Sequence, residues 1–310
     1  MLRGRDFLNL EDLTADELQA LLDFAADLKA RQKRGEPHRL LEGCTLAMIF
    51  EKPSLRTRAT FETGMTQLGG HAIDLAREHL QMGVRESVPD IARNLERWVD
   101  AIMARVFSHS TLEELARYAR IPVINGLSDY SHPCQILSDL LTIREHKGGL
   151  AGRTLAYVGD GNNVCHSLLF GGALTGMHVR VGCPEGYEPL PSVVEHARRL
   201  AARHGACIEL MHDPREAVAG ADIVYTDTWV SMGQEAEREL RIRVFPPYQV
   251  NARLLQYAKP DAVVMHCLPA HRGEEITDDV MDGPQSIIFD QAENRLHAQK
   301  ALLVALIRGI

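Results

Sequence analysis

The sequence predicts an α/β protein made of two doubly wound parallel-sheet domains with the active site in the cleft between them. Three observations carry this. Its 310 residues suffice for two domains at about 150 residues each. Strand-like apolar runs alternate with helix-spaced segments through both halves. The most distinctive polar residues directly follow those runs, where ligands of open α/β sheets bind.

In the first half, residues 45–50 read as a strand and 54–68 as a helix stopped by Gly69-Gly70; strands follow at 101–104 and 121–124. Ile136, Leu137, Leu140, Leu141 and Ile143 recur at helical spacing over 135–146, and Lys147-Gly148-Gly149 breaks the pattern. This predicts domains of residues 1–147 and 148–294, with a last helix at about 295–310 packing back on the first. Strands in the second half are expected at 154–158, 179–181, 223–226, 262–265 and 287–289.

Composition narrows the function. A 45% hydrophobic, 25% charged chain without low-complexity tracts is an ordinary globular sequence. Thirty-four basic against 42 acidic residues, net -8, give no footprint for nucleic acid and no polybasic membrane patch. A small-molecule partner is expected. No run of 18 apolar residues and no signal-peptide pattern occur, and the six cysteines lie far apart without a C-x-x-C pair. A cytoplasmic protein with no metal and no cofactor is the expectation.

Ser54 is a candidate helix N-cap, which places Arg56 and Arg58 in a first turn where the helix dipole disfavours cations. Either they pair with Glu51 or Glu62, or an anion such as phosphate sits there on backbone N–H groups, the Ser54 and Thr57 hydroxyls and the Arg56 fork. His132 and Gln135 flank a Pro133 suited to the first position of a helix, and alone mark only a capped start. Cys267, at a strand end, is either an inert buried thiol or a reactive one.

Taken together these segments resemble the aspartate/ornithine carbamoyltransferase family over essentially the whole chain. Ser54-Leu55-Arg56-Thr57-Arg58 resembles its phosphate signature, with Leu55 replacing the usual threonine, and His132-Pro133-Cys134-Gln135 resembles its carbamoyl motif. Asp227-Thr228-Trp229-Val230-Ser231-Met232-Gly233 and His266-Cys267-Leu268-Pro269-Ala270-His271-Arg272-Gly273-Glu274-Glu275 resemble its ornithine branch, and Gln291-Ala292-Glu293-Asn294-Arg295 completes the match to the family. The resemblance implies transfer of a carbamoyl group from carbamoyl phosphate to the δ-amine of L-ornithine, giving citrulline and phosphate.

It also implies roles. Ser54, Leu55, Arg56, Thr57 and Arg105 would hold phosphate. His132 would donate to the carbamoyl oxygen and Gln135 would accept from its NH2, with Cys267, Leu268 and Arg295 near the carbamoyl end. Asn163 and the Met232 backbone would take the α-carboxylate of ornithine, and Asp227 and Ser231 its α-ammonium. Gln81 would reach phosphate in a neighbouring subunit, which implies a homotrimer or a multiple of trimers.

Other readings are weaker. Val158-Gly159-Asp160-Gly161-Asn162-Asn163 imitates a dinucleotide fingerprint, but Val164 holds the third glycine position and no acidic residue ends the next strand, at Val181-Gly182-Cys183. A non-catalytic relative would not need Arg56, Arg105, His132, Asp227 and Cys267 together. A hydrolase built on Cys267 with His266 or His271 asks neighbouring strand-end side chains to aim at one point.

Overall fold

A computed structural model describes residues 2–76, 80–231 and 233–310. The chain divides into two compact units: Met1–Leu141 with Glu293–Ile310, and Thr142–Ala292. It passes between them inside two helices, Pro133–Lys147 and Ile288–Ile307.

Unit 1 holds a four-stranded parallel sheet of β1 (Thr45–Phe50), β2 (His71–Ala76), β3 (Ala101–Arg105) and β4 (Val123–Leu127), in the order β2-β1-β3-β4. Strand β1 is buried along nearly its whole length, as a strand covered on both faces must be. Its Ala47 and Ile49 pack with Ile91, Ile102, Leu112 and Val123 in one apolar cluster. Unit 2 holds β5 (Thr154–Val158), β6 (His178–Gly182), β7 (Ile208–Met211), β8 (Ile223–Thr226) and β9 (Val263–His266), all parallel, in the order β7-β6-β5-β8-β9. Here Val158, Val224, Val264, Ile276 and Ile288 share a core. Both sheets are flanked by helices, so the two parallel-sheet α/β domains that the sequence predicts are observed.

Each order contains a point where the connection reverses: between β1 and β3 in unit 1, and between β5 and β8 in unit 2. A crevice opens at the carboxyl ends of strands on either side of such a point.

Several element predictions need correction. Residues 287–289 form no strand: Ser286 makes one isolated bridge to Val264, Ile287 N–H donates to the Val264 carbonyl at 3.0 Å, and a helix begins at Ile288. Three apolar residues carry no period of their own, and the helix-favouring run behind them decides the conformation. Arg295 therefore lies inside that helix, not at its start. The strand expected at 121–124 is Val123–Leu127. Strands β2 and β7 were not expected; both are edge strands with polar members, His71 and Asp74 or Glu209.

Candidate active site

Strand β1 leads to the helix Leu55–Gln67, capped by Ser54, whose hydroxyl accepts from Thr57 N–H at 3.2 Å. Arg58 pairs with Asp74 at 2.8 Å, on the neighbouring strand β2, and Glu51 accepts from Phe107 N–H. Leu55 is 79% exposed, so the apolar replacement buries nothing. Arg105 closes β3 where the register with β4 shifts, an irregularity of the kind that re-aims a side chain beside a site.

Around the reversal between β1 and β3 the structure gathers Arg56, Thr57, Arg105, His132, Gln135 and Arg295. Thr57, Arg105, His132, Gln135 and Arg295 are all buried. Burial pushes the His132 imidazole well below its ordinary pKa, and the fields of Arg295, Arg105 and Arg56 push it the same way. His132 is thus a neutral donor or acceptor at pH 7, in the field of three guanidinium groups. Arg295 donates to Gln135 Oε1 at 2.5 Å and to Thr57 Oγ1 at 3.2 Å. Hydrogen-bond complementarity turns the Gln299 carboxamide so that its oxygen also accepts from Arg295, at 2.9 Å from Nη2. These three acceptors are neutral, so they orient the guanidinium without cancelling its charge. Cys134, within the same motif, is an inert thiol pushed up to about 12 by burial.

In unit 2 the helix Asn163–Thr175 follows β5, and Asn162, not Asn163, caps it, accepting from Val164 and Cys165 N–H at 3.0 and 3.1 Å. The Asn162 amide donates to Asp227 Oδ2 at 2.8 Å, and the Cys267 thiol donates to Asp227 Oδ1 at 3.0 Å. Asn162, Asp227 and Cys267 thus meet at the ends of β5, β8 and β9, while Asn163 is half-buried beside them. Ser231 sits on the following loop, where its N–H donates to Gln234 Oε1, and Gly233 takes a φ of 98° that favours glycine. Met232 lies outside the described residues.

Sequence reasoning passed over two groups here. Burial raises Asp160 to about 6 against the lowering field of Arg241, which sits 3.0 Å from it. Arg241 also donates to the Trp229 carbonyl at 2.9 Å, tying the segment after β8 to the end of β5. No local pattern links these residues. The second group is Glu275, fully buried and 3.0 Å from His266 Nε2; His266 Nδ1 accepts from Leu268 N–H at 2.8 Å, so Nε2 carries the proton. The chain Glu275–His266–Leu268 supports the turn after Cys267.

Among the described residues, the two non-glycine positions with φ in the left-handed region are Gln81, at 44°, and Leu268, at 62°. Both are sequence-predicted site residues, and such conformations cost about 1–3 kcal/mol each and persist only where their surroundings impose them. Gln81 is exposed on its loop.

Alternative chemistries fare poorly. A Cβ on Gly161 would lie 2.2 Å from Pro189 N, so this glycine admits the protein's own chain, and Asn162 occupies the helix N–H groups a dinucleotide would need. Asp227, His266 and Cys267 offer ligand atoms within 4.8 Å of one another, as do His271, Glu274 and Glu275. The hydrogen bonds just described engage Asp227, His266, Cys267 and Glu275. The His266 nitrogens face Leu268 and Glu275, which argues against His266 as a base for Cys267.

Comparison with known proteins agrees with this geometry. Residues 5–145 match the model of the aspartate/ornithine carbamoyltransferase carbamoyl-P binding domain, and residues 151–306 that of the Asp/Orn binding domain. The chain is 57% identical over 309 residues to an ornithine carbamoyltransferase of Thermococcus kodakarensis, covering 100% of this chain and 98% of the relative. It is 58% identical over 309 residues to an anabolic one of Pyrococcus furiosus, with the same coverages. The solved ornithine carbamoyltransferase of Pyrococcus furiosus superposes with a TM-score of 0.97 at 58% identity, covering 100% of this chain and 99% of that one.

Proposed function

Since the chain belongs to the aspartate/ornithine carbamoyltransferase family, we propose that it transfers the carbamoyl group of carbamoyl phosphate to the δ-amine of L-ornithine, giving L-citrulline and phosphate. The observation that carries this is the buried His132, kept neutral by burial and by the fields of Arg56, Arg105 and Arg295, together with an Arg295 that donates to Gln135 and Thr57. Such a group offers charge to a phosphate and an uncharged hydrogen bond to a carbonyl.

In this reading unit 1 binds carbamoyl phosphate. The phosphate takes N–H groups that open the helix Leu55–Gln67, the Ser54 and Thr57 hydroxyls and the Arg56 and Arg105 forks. Arg105, Thr57 and His132 face the carbonyl oxygen, and Gln135 Oε1 accepts from the NH2. Unit 2 binds ornithine, with Asn163 and the Met232 backbone on the α-carboxylate, Asp227 and Ser231 on the α-ammonium, and Cys267 near the δ-amine. Leu268 and Arg295 complete the carbamoyl end.

The δ-amine has a solution pKa near that of lysine, about 10.4, and must shed its proton to react. Its lone pair then attacks the carbamoyl carbon, negative charge develops on the oxygen, and the C–O bond to phosphate breaks as the nitrogen loses a second proton to the leaving phosphate or to Cys267. Donors already aimed at that oxygen stabilise the transition state without reorganising, and losing one typically costs about 10²–10³ in rate.

The enzyme is further proposed to act in the cytoplasm as a homotrimer or a multiple of trimers, with Gln81 completing a neighbour's phosphate site. The test is citrulline formation by the purified protein from carbamoyl phosphate and ornithine, with aspartate, putrescine and N-acetylornithine in parallel. Turnover with ornithine alone is expected. Turnover with another amine would keep the carbamoyl half of the reading and overturn the ornithine half, and turnover with none would overturn both.

A further inference from the structure

We propose that Asp139 is a positioning residue that sets which end of the carbamoyl group the enzyme accepts, by locking the Gln135 carboxamide. The proposal rests on the function argued above. Gln135 can present either a donor or an acceptor, because a carboxamide rotated by half a turn has the same shape with its hydrogen-bonding polarity reversed. A carbamoyl group has the same ambiguity, since its oxygen and NH2 are nearly isosteric. A freely turning glutamine would bind it either way round.

Two neighbours remove that freedom. Gln135 Nε2 donates to Asp139 Oδ1 at 2.8 Å, one helical turn further along Pro133–Lys147, and Gln135 Oε1 accepts from Arg295 Nη1 at 2.5 Å. A carboxylate can only accept and a guanidinium can only donate, so both sides demand the same rotamer. Gln135 is 1% exposed and Asp139 fully buried, so water does not offer the flipped amide new partners. An amide oxygen accepts two hydrogen bonds; Arg295 takes one, and the second is left for an N–H of the substrate. The carbamoyl oxygen is then directed to the donor side of the site, where His132 and Arg105 are gathered.

The role of Asp139 is therefore to be an acceptor, not a charge at the substrate. Leucine, with the same branched skeleton and no acceptor, should release the amide; asparagine, whose oxygen can still accept, should retain it. Inorganic phosphate has no such ends to distinguish. The experiment measures the KM for carbamoyl phosphate and the inhibition constant of inorganic phosphate in the full-length wild-type enzyme, D139L and D139N.

D139L should raise the KM for carbamoyl phosphate about tenfold or more, with phosphate inhibition changed less than about twofold, and D139N should recover most of the difference. Equal weakening of both ligands in D139L, no weakening of either, or a D139N as impaired as D139L would overturn the proposal. Should D139L not fold, Q135E and Q135E/D139N carry the test. Q135E sets two carboxylates against each other and should be impaired. In the exchanged pair the amide at position 139 donates to the carboxylate at position 135, which should restore the KM to within about threefold of wild type. An exchanged pair no better than Q135E would overturn the proposal. A wild-type enzyme that makes no citrulline would instead overturn the function on which this inference rests.

Discussion

The two units build opposite electrostatic environments from the same architecture. At the reversal of the unit 1 sheet, buried arginines gather around a neutral histidine, and Arg295 is held by neutral amide and hydroxyl oxygens. At the reversal of the unit 2 sheet two buried carboxylates gather instead: Asp160 beside Arg241, and Asp227 with a thiol and an amide as its donors. Parallel sheets open a crevice wherever their order reverses, and the loop residues decide the sign of the charge that lines it. One unit gathers cations there and the other carboxylates, which is the division the proposed function assigns to an anion and an ammonium group.

The largest effects should come from crossing that division. Asp227→Asn should lower kcat/KM for ornithine about 100-fold or more while the inhibition constant of phosphate moves less than about threefold, and Arg56→Gln should do the reverse. Steady-state kinetics on both variants checks this; equal losses for both ligands in either variant would show that the units do not divide recognition in this way.

A smaller effect tests the packing of unit 2. Gly161→Ala places its Cβ 2.3 Å from the Glu188 carbonyl carbon, where backbone has to shift. A loss of about 1–3 kcal/mol in stability is expected by denaturant titration. An unchanged midpoint would mean that the 188–189 segment yields freely.

The smallest belongs to unit 1 and is a pH effect. His297 is lowered from 6.5 to about 4, first by burial and then by Lys300. Its folded pKa lies below the unfolded one, so the unfolded chain binds more protons between those values, and the stability is present above about 6.5 and is lost as pH falls toward about 4. The contribution lost between about pH 7 and about pH 5.5 is about 1 kcal/mol. Thermal melts of wild type against His297→Asn across that range should show a shallower acid slope in the variant.

How legible was this from the sequence? Central strands were read nearly to the residue, because a strand covered on both faces is a continuous apolar run: 45–50, 154–158 and 223–226 coincide with β1, β5 and β8. Edge strands β2 and β7 escaped because their exposed sides carry polar residues. The Ser54 cap was visible as a local motif. Asn162 as a cap and as a partner of Asp227 was not, since Asn163 beside it is the same residue type and only the fold separates them. Asp160 and Arg241, or Glu275 and His266, pair through tertiary packing that leaves no trace in spacing.

The passage of the chain through the helix Ile288–Ile307 has a consequence for biosynthesis. Unit 2 is continuous in sequence and has been synthesised in full before residues 293–310 are added. Unit 1 is not continuous: its sheet is translated first, yet Arg295 and the buried face of its closing helix arrive only after the whole of unit 2. The half begun first is therefore the half completed last, and a nascent chain stalled short of residue 295 lacks one of the three guanidinium groups whose fields act on His132.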